Sequence, residues 1–164
     1  MELRKVIKIK ILLYGDILIL DCDDNLLIRI KRTFKWNSKI SLAFYKNDIL
    51  ILETSHYSFL PFVVENINYQ KLEKKISFKN IQGKEVLLFG TTEISIKHKF
   101  DYLIYKELCN ILIDGKVIGN VKIESLLSTK NITLTVIFKE KIDYHIQELC
   151  LINLAIKYSD IDGN

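Results

Sequence analysis

The chain predicts an all-β fold with one helix: a closed antiparallel barrel of about twelve strands around a buried hydrophobic C-terminal helix. Two observations carry this. Apolar residues recur at every second position through most of the 164 residues, as in a strand with one buried and one wet face. Near the end, KIDYHIQELCLINLAIKYSD (Lys141 to Asp160) drops that alternation and holds no Gly or Pro.

The strands come first. KVIKIKI puts Ile7, Ile9 and Ile11 on one face, with Lys8 and Lys10 opposite. ISIKHKF aligns Ile94, Ile96, His98 and Phe100, and NITLTVIFK aligns Ile132, Leu134, Val136 and Phe138. The abundant Ile, Val, Phe and Tyr suit pleated sheet. Polar turn formers separate the runs at DCDDNLL (21–27), YKNDIL (45–50), NIQGKEV (80–86) and IDGKVIG (113–119). Gly83 and Gly115 supply the positive φ of tight hairpins. Strands are expected near 5–14, 16–21, 26–33, 39–45, 49–54, 60–65, 74–79, 85–90, 92–100, 102–113, 117–124 and 131–139. The stretch NINYQKLEKK (66–75) lacks a clear pattern and leaves room for a helical turn. No helical segment alternates with the strands, so their connections are expected to be antiparallel.

A helix over about 142–158 leaves a narrow polar sector, Asn153 and Lys157, in its second half, and a helix apolar nearly all round is buried nearly all round. It spans about 25 Å, short for a bilayer, and Asp143, His145 and Glu148 oppose spanning further. Curling the strands into a barrel surrounds such a helix and removes sheet edges. The alternative is a helix across one face of a sandwich, which would keep a broad polar stripe.

A single proline and six glycines, with 49% hydrophobic and 27% charged residues, fit one domain over 1–164 with its own core. The net charge of +4 permits an anionic surface as partner, but no recognition motif or basic groove calls for nucleic acid. Lys8, Lys10 and Asp16 interrupt the N-terminal apolar run and no cleavage site follows it. No transmembrane segment is expected, and the protein is read as cytoplasmic, with Cys22, Cys109 and Cys150 reduced.

The serial hairpins ILILDCDDNLLIRIKRTFKWNSKISLAFYKNDILILE (17–53), then CNILIDGKVIGNVKIESL (109–126), ITLTVIF (132–138) and the terminal helix resemble the tubby C-terminal-like superfamily. The LURP-one-related branch and small bacterial relatives are the nearest pattern. The resemblance covers nearly the whole chain and implies a twelve-stranded barrel around a central helix. Within that superfamily tubby proteins bind membrane phosphoinositides through basic residues, scramblases act on membranes with calcium, and many small members have no assigned activity. No ligand residue transfers position by position, and Asp143 alone is no calcium-binding run.

RIKRTFKW (29–36) offers the candidate ligand-binding residues Arg29, Lys31, Arg32 and Lys35, interleaved with Phe34 and Trp36. Arg29 and Lys31 share a strand face, and Arg32 and Lys35 are expected around the following turn. Basic groups beside aromatics suit phosphate at a membrane interface. Such charge also protects a strand edge. DCDDN (21–25) and DGK (114–116) read as turns, not cation sites. His98 is expected inward as a core histidine, and His56, His98 and His145 show no metal spacing. Ser55-His56 and the cysteines form no legible nucleophilic set, and no phosphate-loop or dinucleotide fingerprint is present. The expectation is a non-enzymatic tubby-like domain, without cofactor or metal, that binds anionic lipid or a protein partner through the basic-aromatic patch. The alternative is an intracellular carrier holding a small apolar ligand inside the barrel.

Overall fold

The computed structural model describes residues 6–57, 64–99, 106–124 and 131–160. Twelve strands form one antiparallel sheet: β1 (Val6–Leu12), β2 (Ile17–Leu20), β3 (Leu26–Phe34), β4 (Lys39–Lys46), β5 (Ile49–Tyr57), β6 (Val64–Gln70), β7 (Ile76–Ile81), β8 (Lys84–Phe89), β9 (Thr92–His98), β10 (Glu107–Ile113), β11 (Lys116–Ile123) and β12 (Asn131–Phe138). Their order is β6-β5-β4-β3-β2-β1-β12-β11-β10-β9-β8-β7. Each half of the chain is thus a meander, and β1 joins the halves by pairing with β12 from Val6↔Ile137 to Leu12↔Asn131.

The sheet curls into a nearly closed barrel whose seam lies between β6 and β7. No backbone ladder spans that seam among the described residues. At one end the Gln70 side chain substitutes for a peptide group. Its Oε1 accepts from Ile76 N at 2.9 Å, and its Nε2 donates to Ile76 O at 3.5 Å.

Tight turns follow from local chemistry. Asn47-Asp48, Gln82-Gly83 and Asp114-Gly115 each link two strands with positive φ at both residues, the mirror-image turn whose twist matches a hairpin. Asp21 organises the β2–β3 turn by accepting from the amides of Asp23 and Asn25, both at 2.9 Å. Asp24 holds Lys8 at 3.0 Å and Lys10 at 3.8 Å. The acidic stretch is a turn. Among the described residues no cluster of His, Cys, Asp and Glu is arranged for a metal ion.

Alternate residues meet inside. Ile28, Ile19, Ile9, Leu134 and Ile123 lie in register across five strands and are all buried. Helix α1 (Tyr144–Lys157) fills the space they enclose. Every residue from Leu149 to Ile156 is buried. Eight successive positions cover every direction around a helix axis, so the wall surrounds the rod. The Asp143 side chain caps its start by accepting from His145 N and Ile146 N, as N-cap aspartates do. Buried Asn153 finds a carbonyl, that of Ile94, at 3.4 Å.

Two expectations change. The sixth strand, expected at 60–65, runs Val64–Gln70, and the helical turn considered for 66–75 is absent from 66–70, which is strand. Residues 60–63 of the expected strand, and 102–105 of the expected tenth, lie outside the described residues. No helix among the described residues is long and apolar enough to cross a membrane.

Candidate functional site

Two ends of the barrel differ in chemistry. Strands β1 and β3 run the same way, since each pairs with β2 antiparallel. Their following turns, 13–16 and 35–38, therefore project from one end. α1 enters at the opposite end, after β12, and its C-terminal residues emerge beneath these turns.

Arg32 joins the three. Its alternation partners are Ile28 and Ile30, so it points inward and is only 9% exposed. The guanidinium donates to Gly15 O at 2.6 Å, to Leu12 O, and to Ser159 O at 2.7 Å, and lies 5.2 Å from the Phe34 ring centroid. Arg32 is a structural clamp in the wall and not a residue of the β3–β4 turn.

The other predicted residues remain on the surface. Arg29 pairs with Asp16 at 2.7 Å, and the Lys31 ammonium lies over the Tyr45 ring at 5.1 Å. Lys35 sits in the β3–β4 turn, exposed. Lys10 shares their outer face, two strands from Arg29 through Leu18. The four candidates thus divide into three surface cations and one interior one.

Around Lys35 the end of the barrel is greasy. Trp36 is 99% exposed and Tyr14 73% exposed, with Leu13 and Phe34 also exposed. The sequence marked Phe34 and Trp36 but not Leu13 and Tyr14, which the β2 pairing brings alongside. Tyr14 adopts φ 52°, an uncommon backbone state for a bulky residue.

Under these turns lies a second polar group. Buried His56 places Nε2 3.1 Å from Ser159 Oγ. That hydroxyl donates to Ile156 O at 2.8 Å, so the ring nitrogen must be the donor. The serine proton points away from the imidazole, and no nucleophile is generated. His56 Nδ1 meets no hydrogen-bond partner among the described residues, and burial holds the His56 pKa below its ordinary value.

The sign of the resulting pH effect is fixed. The unfolded chain takes up the proton near pH 6.5, while the folded chain resists it. Stability therefore falls as pH drops through 6.5 toward the lower folded value. The wild-type urea midpoint should decline from pH 7.5 to 5.5. His56→Gln, which keeps a donor for Ser159, should flatten that slope; an equally steep slope would assign it elsewhere.

His98 differs from its expected place in the core. It faces inward at the last position of β9 but is exposed there, because the strand ends at the barrel mouth. Its Nδ1 lies 3.2 Å from the buried Tyr158 hydroxyl. Cys109, its register partner, is buried and its thiol pushed up to about 11; Cys150 is pushed up to about 12. Neither is a thiolate nucleophile at neutral pH.

No family model, curated protein or solved structure matches the chain.

At the opposite end a cleft of about 220 Å³ opens beside the start of α1. Lys46, Lys71, Glu73, Lys74, His145 and Glu148 are its polar lining, with Ile51, Leu72, Phe89 and Leu149 as its apolar wall. Lys46 binds Glu148 at 2.5 Å and His145 binds Glu73 at 2.9 Å. Burial opposes the Lys46 charge, but hydrogen bonds to Glu148 and Tyr144 outweigh it and raise the pKa.

Proposed function

We propose that this chain is a non-enzymatic tubby-like domain that docks on anionic membrane surfaces through the barrel end bearing Tyr14 and Trp36. One observation carries the reading: four large apolar side chains, Leu13, Tyr14, Phe34 and Trp36, are exposed together on adjacent hairpin ends beside Lys35. A concentrated exposed apolar patch marks an interaction surface. Trp and Tyr favour the headgroup region, where an apolar ring and a polar edge are both satisfied. A lysine near an anionic leaflet adds about 1 kcal/mol. Lys31 and Arg29 extend the charge along β3, with Arg29 partly neutralised by Asp16. Arg32 contributes indirectly by holding the two turns in place. The carrier alternative needs an open lumen, and α1 occupies that space with Leu151, Ile152 and Leu154.

Trp36 is the chain's single tryptophan, so its emission reports on the proposed contact directly. Vesicles containing phosphoinositide should retain the protein at low salt and shift Trp36 emission to the blue. Raising salt from 0.05 to 0.5 M (roughly a threefold shorter screening length) should release it. Lys35→Gln should weaken retention about fivefold, the effect of roughly 1 kcal/mol. Protein that stays in solution at low salt, or that is retained with unshifted Trp36 emission, would overturn the membrane reading and leave the patch to a protein partner.

A further inference from the structure

The cleft at the far end of the barrel is independent of the membrane-facing hairpins and has its own charge logic. Its two carboxylates are already engaged, Glu148 by Lys46 and Glu73 by His145. Lys71 and Lys74 line the same opening, and neither pairs with a carboxylate among the described residues. The Lys74 ammonium lies 5.4 Å from the Phe89 ring centroid, placing charge directly at the edge of the apolar wall. Lys71 is fixed at its backbone, whose amide donates to Ile51 O at 2.8 Å. Gln70, next to it, clasps Ile76, so both ends of the lysine-bearing loop are anchored.

We propose that this cleft binds a small amphipathic organic anion, its head between Lys71 and Lys74 and its apolar body against Leu72, Phe89 and Leu149. The volume of about 220 Å³ equals that of about seven waters at ~30 Å³ each. It therefore suits a single aromatic ring or short alkyl chain with one charged group. A charged head alone would leave the apolar wall wet. A neutral body alone would leave the Lys71 and Lys74 ammonium groups with no carboxylate partner among the described residues. The Asp143 carboxylate already satisfies the first amides of α1, so the binding force is assigned to the lysines and not to the helix terminus.

Amide NMR titration of the full chain tests this with four probes: 3-phenylpropionate, phenyl phosphate, inorganic phosphate and 3-phenylpropanol. Either aryl anion should shift Leu72, His145 and Leu149 saturably with a Kd of about 1 mM or tighter, as expected for so few atoms. The order of the two separates a carboxylate from a phosphoryl ligand. Inorganic phosphate and phenylpropanol should bind at least about tenfold more weakly. Lys71→Gln with Lys74→Gln should lower aryl-anion affinity about tenfold or more while leaving amide shifts elsewhere unchanged, since both side chains are exposed. Equal binding of inorganic phosphate or of the neutral alcohol, unaltered affinity in the double variant, or no saturable shift up to about 10 mM would overturn the site. Vesicle retention by Trp36 is read separately, so failure of either result leaves the other standing.

Discussion

Leu154→Asp should abolish the folded state, and Leu154→Ala should lower the unfolding free energy by about 3 kcal/mol. Leu154 is 0% exposed, midway along a stretch of α1 in which neighbours on every side are also buried. Alanine removes three carbons' worth of burial and leaves a cavity that a closed wall cannot collapse around, which places the cost within the 2–5 kcal/mol range for such truncations. Aspartate adds an unpaired charge where no water reaches, and domains of this size have only about 5–15 kcal/mol in total. Circular dichroism and urea titration decide the matter. Hydrogen exchange gives a second readout: the amides of Leu151, Leu154 and Ile156 should exchange only through global unfolding. Exchange within seconds, or an alanine variant within 1 kcal/mol of wild type, would mean that water reaches the rod.

Arg32→Ala should cost about 3–5 kcal/mol in the same urea assay. The guanidinium is a rigid cationic fork of N–H donors, and these meet the carbonyls of Gly15, Leu12 and Ser159. Hydrogen bonds from a charged donor are worth about 1.5–3 kcal/mol, and an abandoned buried carbonyl adds its own penalty. Arg32→Lys should recover less than half of the loss, because a point charge cannot fork toward three acceptors. Ser159 should lose exchange protection in both variants. A loss below about 1 kcal/mol would remove Arg32 from the framework and return it to the surface patch.

The same residue shows how far the sequence was legible. Ile28, Ile30 and Arg32 share one parity in β3, so the two-residue period already placed Arg32 inward. Its charge, beside Arg29, Lys31 and Lys35, outweighed that signal. β6 was displaced for a related reason. In NINYQ the residues Ile67 and Tyr69 do alternate with Asn66, Asn68 and Gln70, but Tyr69 is exposed and Ile67 only half-buried, because β6 borders the seam and lacks a second neighbour among the described residues. The helix and most strand limits were legible because the core is made almost entirely of alternating Ile, Leu and Val. The apolar hairpin patch was half legible. Phe34 and Trp36 stand in one motif with Lys35, whereas Leu13 and Tyr14 reach them only through the β2–β3 register. The cleft was not legible at all. Its lining comes from β4, β5, the 71–75 loop, β8 and α1, and no short motif encodes that convergence.

A last consequence concerns the order of synthesis. α1 follows all twelve strands along the chain, and β1 must wait for β12, whose partner residues lie 119 positions away at Leu12 and Asn131. Translation at about 5–20 residues per second therefore releases wall segments for several seconds before the element that fills them. During that interval the inward isoleucines have only one another for cover. A nascent chain of this kind is expected to be a good client for holdase chaperones, and stalling translation short of residue 144 should lengthen that association.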